Sequence, residues 1–184
     1  VATGGSAQKS FGTDGNGYSL LQSFGHTLTP IYPSIVQLKT DLKAVKGLKG
    51  LKHKVKATAS VGGKKQASFT GDLLFTEYGV SGNATFYLSS YLYEGGEMLV
   101  DFCPDFSVLE LTEIIKNKQS LCPYLTAEYI LSAIIPNKVA CAVLRNSGFN
   151  LSGNVTSLNA EEVAVAVKNY SINVIKGMGF DNAQ

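Results

Sequence analysis

The strongest constraint on the fold is a pair of alternating runs joined by two glycines. Residues 54–61 alternate between an apolar set (Val55, Ala57, Ala59, Val61) and a polar set (Lys54, Lys56, Thr58, Ser60). A period of two places successive side chains on opposite faces of a β-strand. Gly62-Gly63 follows, and a second run covers residues 66–75. This pattern predicts a β-hairpin and therefore an antiparallel sheet.

Shorter strands and a block of helices surround this hairpin. Residues 97–102 and 170–175 are predicted strands, and residues 27–39, with Pro30 and Pro33, suit an irregular or edge strand. Residues 79–82 are predicted to form a structural glycine turn with at least one positive φ. Helices are predicted at 19–26, 84–91, 107–115, 126–135, 137–146 and 159–168, the third opening on a capping box from Ser107 to Glu110.

The order of strands, helices and a final strand predicts an α+β fold, with a helical subdomain inserted into a β-barrel-like unit. We expect the barrel in residues 27–104 and 149–184 and the helical subdomain in residues 105–148. Residues 1–26 are expected to be a connecting segment.

Composition restricts the class of protein. The chain is 45% apolar and 16% charged, as expected for a globular protein. Its longest apolar run, residues 129–135, ends at Pro136, well short of the roughly 20 residues that a membrane span needs. Three cysteines, with no CxxC pair and no histidine nearby, argue against a metal site or a disulfide framework. Reduced thiols and a cytoplasmic location are the expectation.

Positive charge is concentrated in one part of the chain. Nine of the 16 basic residues lie between Lys39 and Lys65, against a single acid, Asp41. We call these residues the basic belt. It suits a non-enzymatic interaction or nucleic-acid-binding module. However, the belt has no arginine and few aromatic residues, and its strand lysines alternate with apolar residues. A solvated sheet face is therefore favoured, and a nucleic-acid partner is not.

Common catalytic constellations are missing from the sequence. His26 and His53 are isolated, and no G-x-S-x-G or phosphate-binding P-loop pattern occurs. The Gly15-Asn16-Gly17 turn lacks the third glycine of a dinucleotide fingerprint. We therefore predict no catalytic residue and no metal ligand in this chain, and whether it acts as an enzyme by itself is left open.

Two glycine turns near the beginning are the best candidates for a binding site. The sequence starts with VATGGS, which resembles the end of a buried strand, so we expect a segment of a larger protein. A glycine turn after a buried strand lets the backbone approach a ligand closely. Thr3, Gly4 and Gly5 form the first turn, and Asn16 and Gly17 belong to the second.

These motifs resemble a family of bacterial flavoproteins, the NAD(P)/FAD-dependent oxidoreductases of the aminoacetone oxidase or BaiN type. The resemblance rests on VATGGS at 1–6, GNGY at 15–18, FGHT at 24–27 and the prolines of 30–38. It continues in GDLLFTEYGVSG at 71–82, which is similar to the family signature G-x-x-L-F-T-H-x-G-L-S-G, and in residues 101–105 and 135–136.

The resemblance implies both a fold and a function. The chain would be the insert of an FAD domain, a barrel related to those of translation factors with a helical subdomain inside it. Its partner would be the FAD domain of the same polypeptide, with NAD(P)H as the second cofactor and a small-molecule substrate. Thr3, Gly4, Gly5, Asn16 and Gly17 would lie beside FAD, whereas the isolated chain would hold no cofactor and would be inactive.

Three positions depart from the family pattern. Asn16 stands where the family usually has Asp, Glu77 stands where it usually has His, and Asn83 stands where Pro is common. An asparagine side chain can still hydrogen-bond a cofactor, but it contributes no charge. No catalytic role is carried over to Glu77.

Overall fold

The computed structural model describes residues 2–183. Its strands are β1 (Leu38–Thr40), β2 (Lys52–Val61), β3 (Lys64–Phe75), β4 (Gly79–Ser81), β5 (Gly96–Asp101) and β6 (Tyr170–Gly177). Its α-helices are α1 (Asn16–Ser23), α2 (Leu42–Val45), α3 (Asn83–Leu92), α4 (Val108–Leu121), α5 (Asn137–Asn146) and α6 (Ala160–Lys168). Short 3₁₀ helices cover Lys9–Phe11, Ala127–Tyr129, Val155–Ser157 and Phe180–Asn182.

The six strands close into an antiparallel barrel in the order β1-β4-β3-β2-β5-β6, and β6 pairs back with β1. The predicted hairpin is confirmed as β2 and β3, which pair from Lys52 opposite Leu74 to Val61 opposite Lys64. Gly62 and Gly63 turn the chain with φ values of 57° and 76°. Two successive positive φ angles match the twist of a short hairpin turn. The predicted α+β barrel fold is therefore confirmed.

The short strand β4 differs from the predicted glycine turn. Gly79–Ser81 pairs with β1 on one side and with β3 on the other, which closes the barrel. The expected positive φ angles are present, at 150° for Gly79 and 94° for Gly82. A Cβ on Gly79 would lie 2.3 Å from the Leu38 carbonyl oxygen. The glycines are needed here because neighbouring backbones come too close for a side chain.

One continuous core joins the barrel to the helices. Phe102 lies at the junction, with its ring centroid 6.4 Å from that of Phe75 and 5.5 Å from that of Tyr170. The buried Tyr170 hydroxyl donates to the Ala44 carbonyl at 2.6 Å and accepts a hydrogen bond from Asn146. The Tyr170 hydroxyl of β6 thereby links the backbone of α2 to the Asn146 side chain of α5.

Capping residues explain where the helices begin. Ser107 accepts from the Glu110 N–H at 3.2 Å, and Glu110 accepts from the Ser107 N–H at 2.8 Å, which confirms the predicted capping box of α4. Asn159 caps α6 by accepting from the N–H groups of Glu161 and Glu162. Helix α6 packs against α4, and its Lys168 forms an ion pair with Asp101 of β5 at 2.7 Å.

The predicted helix at 126–135 is wrong. Only Ala127–Tyr129 is helical, as a 3₁₀ turn, and Ala133 has φ 70°. The backbone N–H groups of Ala127 and Glu128 donate to the carbonyls of Gly153 and Leu151. The N–H groups of Ile130, Ser132 and Ile134 donate to carbonyls three residues back, so the segment forms successive turns rather than a helix.

Two expectations near the N-terminus also need correction. The strand expected over 27–39 is limited to Leu38–Thr40, because residues 27–37 form no regular element. Ala2 and Thr3 are exposed and lie in no strand, so a buried strand before Gly4 is not found in the described part of the chain, and Val1 lies outside it. The first helix begins three residues earlier than predicted, at Asn16.

Candidate functional site

The two glycine turns predicted to face a cofactor come together in space. A Cβ placed on Gly17 would lie 1.9 Å from Oγ1 of Thr3. Gly4 has φ 74°, and a Cβ there would lie 2.5 Å from Oγ1 of Thr13. The Thr13 hydroxyl also donates to the carbonyl of Gly5. The turns interlock through threonine side chains that occupy the space left by the glycines.

Asn16 lies beside this interlocked unit, exposed at the start of α1. Its backbone N–H donates to Oδ1 of Asp14 at 2.9 Å. The preceding residue, Gly15, has φ 77° and supplies no side-chain cap. The Asp14 carboxylate therefore caps the first backbone N–H of α1, although Gly15 at the N-cap position offers no side chain. All five predicted residues, Thr3, Gly4, Gly5, Asn16 and Gly17, lie in one region.

The chemistry of this region is that of the backbone. Within residues 2–183, the N–H groups of Gly4 and Gly5 donate no hydrogen bond. Free N–H groups beside a helix N-terminus favour anionic oxygen atoms, such as those of a phosphate. The interlock gives these glycines a second role that needs no ligand. The geometry therefore permits phosphate binding without requiring it.

Exposed apolar residues are concentrated directly after these turns. Among residues 2–183, eight of the 19 exposed large apolar side chains fall in residues 11–35, which we call the apolar segment: Phe11, Leu20, Leu21, Phe24, Leu28, Ile31, Tyr32 and Ile35. Phe11 is 85% exposed and Phe24 is 74% exposed. Exposed apolar residues concentrated in one segment favour contact with another protein surface or with a ligand.

The apolar segment enters the barrel next to the point where the chain leaves it. Leu38 of β1 pairs with Gly177 of β6, and the N–H of Met178 donates to the Gln37 carbonyl at 2.9 Å. Further out, the Gln8 N–H donates to the Phe180 carbonyl at 3.4 Å. We call this end of the barrel, defined by residues 36–38 and 177–178, the crossing side.

A pocket that the sequence analysis did not predict lies at the crossing side. It has a volume of about 670 Å³ and is lined by Tyr32, Pro33, Ser34, Val61, Ser90, Tyr91, Tyr93, Glu94 and Gly95. The Tyr32 and Tyr93 rings meet edge to face, with centroids 6.0 Å apart. Its residues come from three distant segments, so no local pattern signals it. The cluster of tyrosines at 87–93 was the only available hint.

The basic belt runs along one outer face of the barrel. Lys52, Lys54 and Lys56 of β2 are all exposed. Lys52 pairs with Asp72 at 3.2 Å. Lys49 pairs with Glu77 at 2.5 Å, and this hydrogen bond and charge lower the pKa of the Glu77 carboxyl. The charge of the belt is therefore partly neutralised at Lys49 and Lys52, whereas Lys54 and Lys56 make no ion pair with another residue of 2–183.

Within residues 2–183, no group of three or more His, Cys, Asp or Glu side chains is placed to hold a metal ion. The ring of His53 is engaged, because its Nε2 lies 3.0 Å from the Phe102 carbonyl oxygen. Cys103 is buried, which raises the pKa of its thiol to about 11, and all three cysteines are free. Within the same residues, no helix combines the length and apolarity of a membrane span.

The fold and these surfaces define an α+β domain made of a closed barrel and a helical module. The family described as "HI0933-like protein barrel and H2TH domain" matches residues 32–184, and the chain belongs to that family. This match confirms the family resemblance drawn from the glycine-rich motifs.

The chain is also similar in sequence to individual proteins of known name. The whole chain is 35% identical to a "3-dehydro-bile acid delta(4,6)-reductase" of Clostridium scindens, and it covers 47% of that protein. Over 76% of the chain, identity is 34% to a "Ribosomal RNA dihydrouridine synthase" of Haemophilus influenzae and 26% to one of Escherichia coli. The chain covers 33% and 34% of these two proteins. It therefore spans between a third and about half of the length of these relatives, and the matches support an oxidoreductase-family domain.

Proposed function

We propose that this chain is the substrate-side insert domain of an FAD-dependent, NAD(P)H-linked oxidoreductase. The observation that carries the proposal is the position of the glycine turns and the apolar segment. Together they offer exposed apolar surface and the N–H groups of Gly4 and Gly5, which donate no hydrogen bond within residues 2–183. The FAD domain of the same polypeptide would cover the apolar segment. The reductase of Clostridium scindens, which aligns with the whole chain, supports this assignment.

In this proposal the residues of the glycine turns hold the cofactor. The N–H groups of Gly4 and Gly5 would donate to phosphate oxygens, and Asn16 would hydrogen-bond the cofactor through its side chain. Thr3 and Gly17 keep the two turns interlocked so that these groups face the same side. FAD would supply the hydride chemistry, while the domain orients the substrate and excludes water. The isolated chain would be colourless and inactive.

Flavin content of the full-length polypeptide tests this assignment. Asn16→Leu should lower the flavin absorbance per protein, because it removes a polar group at an exposed position without disturbing the interlock. Gly4→Val should lower it further, because the added bulk displaces Thr13. Gly12→Val is the matched control, since Gly12 also has a positive φ but has nothing within 4 Å. Full flavin retention in both site variants would show that the turns only direct the chain.

The relatives named ribosomal RNA dihydrouridine synthase favour a second candidate, in which the substrate is RNA. The basic belt would then contact RNA phosphates through Lys54 and Lys56, which make no ion pair with other described residues. The substrate of the Clostridium scindens reductase is instead a ring compound, the 3-dehydro-bile acid of its name. The two substrate classes make different demands on the surface of the domain.

Salt dependence separates this second candidate from non-specific attraction. Each phosphate contact to single-stranded nucleic acid contributes about 0.7 to the slope of log affinity against log salt concentration. If the belt binds RNA, Lys54→Gln with Lys56→Gln should reduce the slope by about 1.4. The control double variant, Lys138→Gln with Arg145→Gln on α5, should leave the slope unchanged. Equal slopes for both double variants would exclude the belt as an RNA surface.

A further inference from the structure

The pocket at the crossing side has walls that the fold itself holds in place. The Tyr93 ring lies over Gly177, where a Cβ would be 2.3 Å from its Cδ2, and the Gly177 N–H donates to the Tyr93 carbonyl at 2.7 Å. In the segment that carries Tyr32, Pro33 is buried and Ile35 has φ 53°. A β-branched residue with this backbone angle is rare and persists only where its surroundings hold it. The pocket is therefore formed before any ligand binds, which lowers the cost of binding.

Aromatic rings dominate the lining of this pocket. Tyr32, Tyr91 and Tyr93 all contribute to it. The planes of Tyr32 and Tyr93 are inclined by 62°, so that the two rings form an aromatic corner. Tyr32 is 58% exposed and Tyr91 is 44% exposed, so a ligand can reach both rings. The face of an aromatic ring carries partial negative charge and attracts a cation that lies within about 6 Å of the ring centroid.

The remaining polar groups of the pocket are also negative. Glu94 is the one charged residue of the lining among residues 2–183, and it makes no ion pair with another described residue. Ser90 and Tyr91 belong to the last turn of α3, and their carbonyls accept no hydrogen bond from a described residue beyond the helix. Carbonyls at a helix C-terminus carry partial negative charge and favour a nearby cation. Ring faces, carboxylate and carbonyls therefore all attract positive charge.

We propose that this pocket binds an organic cation, either an alkylated ammonium or a guanidinium group. The tyrosine rings attract its charge and cover its apolar substituents, and the Glu94 carboxylate pairs with it. A phosphate group would instead meet a carboxylate and no compensating cation. The volume of about 670 Å³ lies within the range of small-molecule sites, roughly 300–1,000 Å³. The inference stands apart from the proposed function, because none of these features involves the glycine turns or a flavin.

Titration with choline tests the proposal, both in the 184-residue chain and in the full-length polypeptide, with binding followed by NMR of the choline methyl protons. Tyr32→Ala and Tyr91→Ala should each weaken binding about fivefold to thirtyfold, because each removes a ring face from the cation. Glu94→Gln should weaken it about twofold to fivefold, because the paired charge is lost. Tyr87→Ala is the matched control, since Tyr87 is also exposed on α3 but stacks on Phe69 outside the pocket.

The two polypeptides distinguish the possible sources of the cation. Tyrosine-dependent binding of choline to both would identify a free organic cation as the ligand. Binding to the 184-residue chain alone would show that a lysine or arginine side chain of the remaining polypeptide fills the pocket in the full-length protein. Either result supports the proposal whatever the flavin content.

A neutral probe of the same shape, 3,3-dimethylbutan-1-ol, tests the role of the charge. It should bind at least about fivefold more weakly than choline, because it gains no cation–π attraction. Equal binding of the two probes, choline binding to neither polypeptide, or equal binding by Tyr91→Ala and Tyr87→Ala would each overturn the proposal. Circular dichroism identifies any tyrosine variant that has lost its fold, and Glu94→Gln, which keeps the shape of an exposed side chain, then decides in its place.

Discussion

Replacing Gly82 by alanine should be among the most destabilising single-methyl additions in the barrel. Gly82 precedes α3 with φ 94° and ψ 168°, a backbone region that is accessible essentially only to glycine. A Cβ there would lie 2.4 Å from the Asp72 carbonyl oxygen and 3.2 Å from the Leu74 nitrogen. Both neighbours are backbone atoms of β3, so no side-chain rotation can relieve the clash.

Two terms set the expected magnitude. Forcing alanine into this φ/ψ region costs about 1–3 kcal/mol. Moving β3 to relieve overpacking costs about another 1–3 kcal/mol. Gly82→Ala should therefore lower the free energy of unfolding by about 2–6 kcal/mol, a large part of the 5–15 kcal/mol that is typical of a domain.

Urea unfolding followed by far-UV circular dichroism measures this change, and two other glycines calibrate it. Gly62 has φ 57° but nothing within 4 Å, so Gly62→Ala should cost about 1 kcal/mol from backbone strain alone. Gly179 has φ −76° and open surroundings, so Gly179→Ala should be neutral or slightly stabilising. If the urea midpoint of Gly82→Ala equals that of Gly62→Ala, the clash with β3 contributes nothing. If it equals that of Gly179→Ala, neither the clash nor the backbone strain contributes.

Four further predictions concern the helical module and its junction with the barrel. Lys168→Met should destabilise the fold by about 3–5 kcal/mol in thermal or urea unfolding, because it leaves the largely buried carboxylate of Asp101 unpaired, and adding Asp101→Asn should recover part of the loss. Ser107→Ala should cost about 1 kcal/mol through loss of the α4 cap. The hydrogen bonds from Ser107 lower the pKa of Glu110 below its ordinary 4.5, so the stability that this carboxylate contributes is lost as the pH falls through the lowered value. The difference in free energy of unfolding between the wild type and Glu110→Gln should therefore shrink in acid. A difference that stays constant down to about pH 2 would contradict this. Cys103, with a thiol pKa of about 11, should resist alkylation at pH 8 until the protein unfolds, and mass spectrometry should find it unmodified under conditions that label Cys122.

Local sequence patterns were sufficient to predict the helices and strands whose formation depends on neighbouring residues. The β2–β3 hairpin follows from strict alternation around Gly62-Gly63, and α4 follows from its capping box. Helix α5 was predicted with its observed bounds, Asn137–Asn146, because Pro136 stops the preceding segment and Gly148 follows the end. In each case the signal lies within a few residues of the structure that it specifies.

The errors occur where distant segments decide the structure. Residues 130–135 are apolar enough for a helix, but hydrogen bonds from Ala127 and Glu128 to residues 151–153 fix the start of this segment, and the residues after it form successive local turns. Strand β4 has only three residues and exists because β1 and β3 flank it. The tyrosine pocket is assembled from three segments in the same way. The glycine turns were located correctly, but their interlock through Thr3 and Thr13 depends on tertiary packing that no sequence period encodes.

The pairing of Leu38 with Gly177 has a consequence for how such a domain can move between proteins in evolution. Antiparallel partners have Cα atoms about 4.5–5.5 Å apart, so the barrel begins and ends at nearly one point. A host protein could therefore acquire the 140-odd residues between them by opening a single surface loop, without separating the two ends of that loop. The same geometry makes residues 38–177 a suitable unit for grafting into another protein. It also makes circular permutation feasible, because a short glycine linker can join the two ends while new termini are opened in a loop and the barrel stays intact.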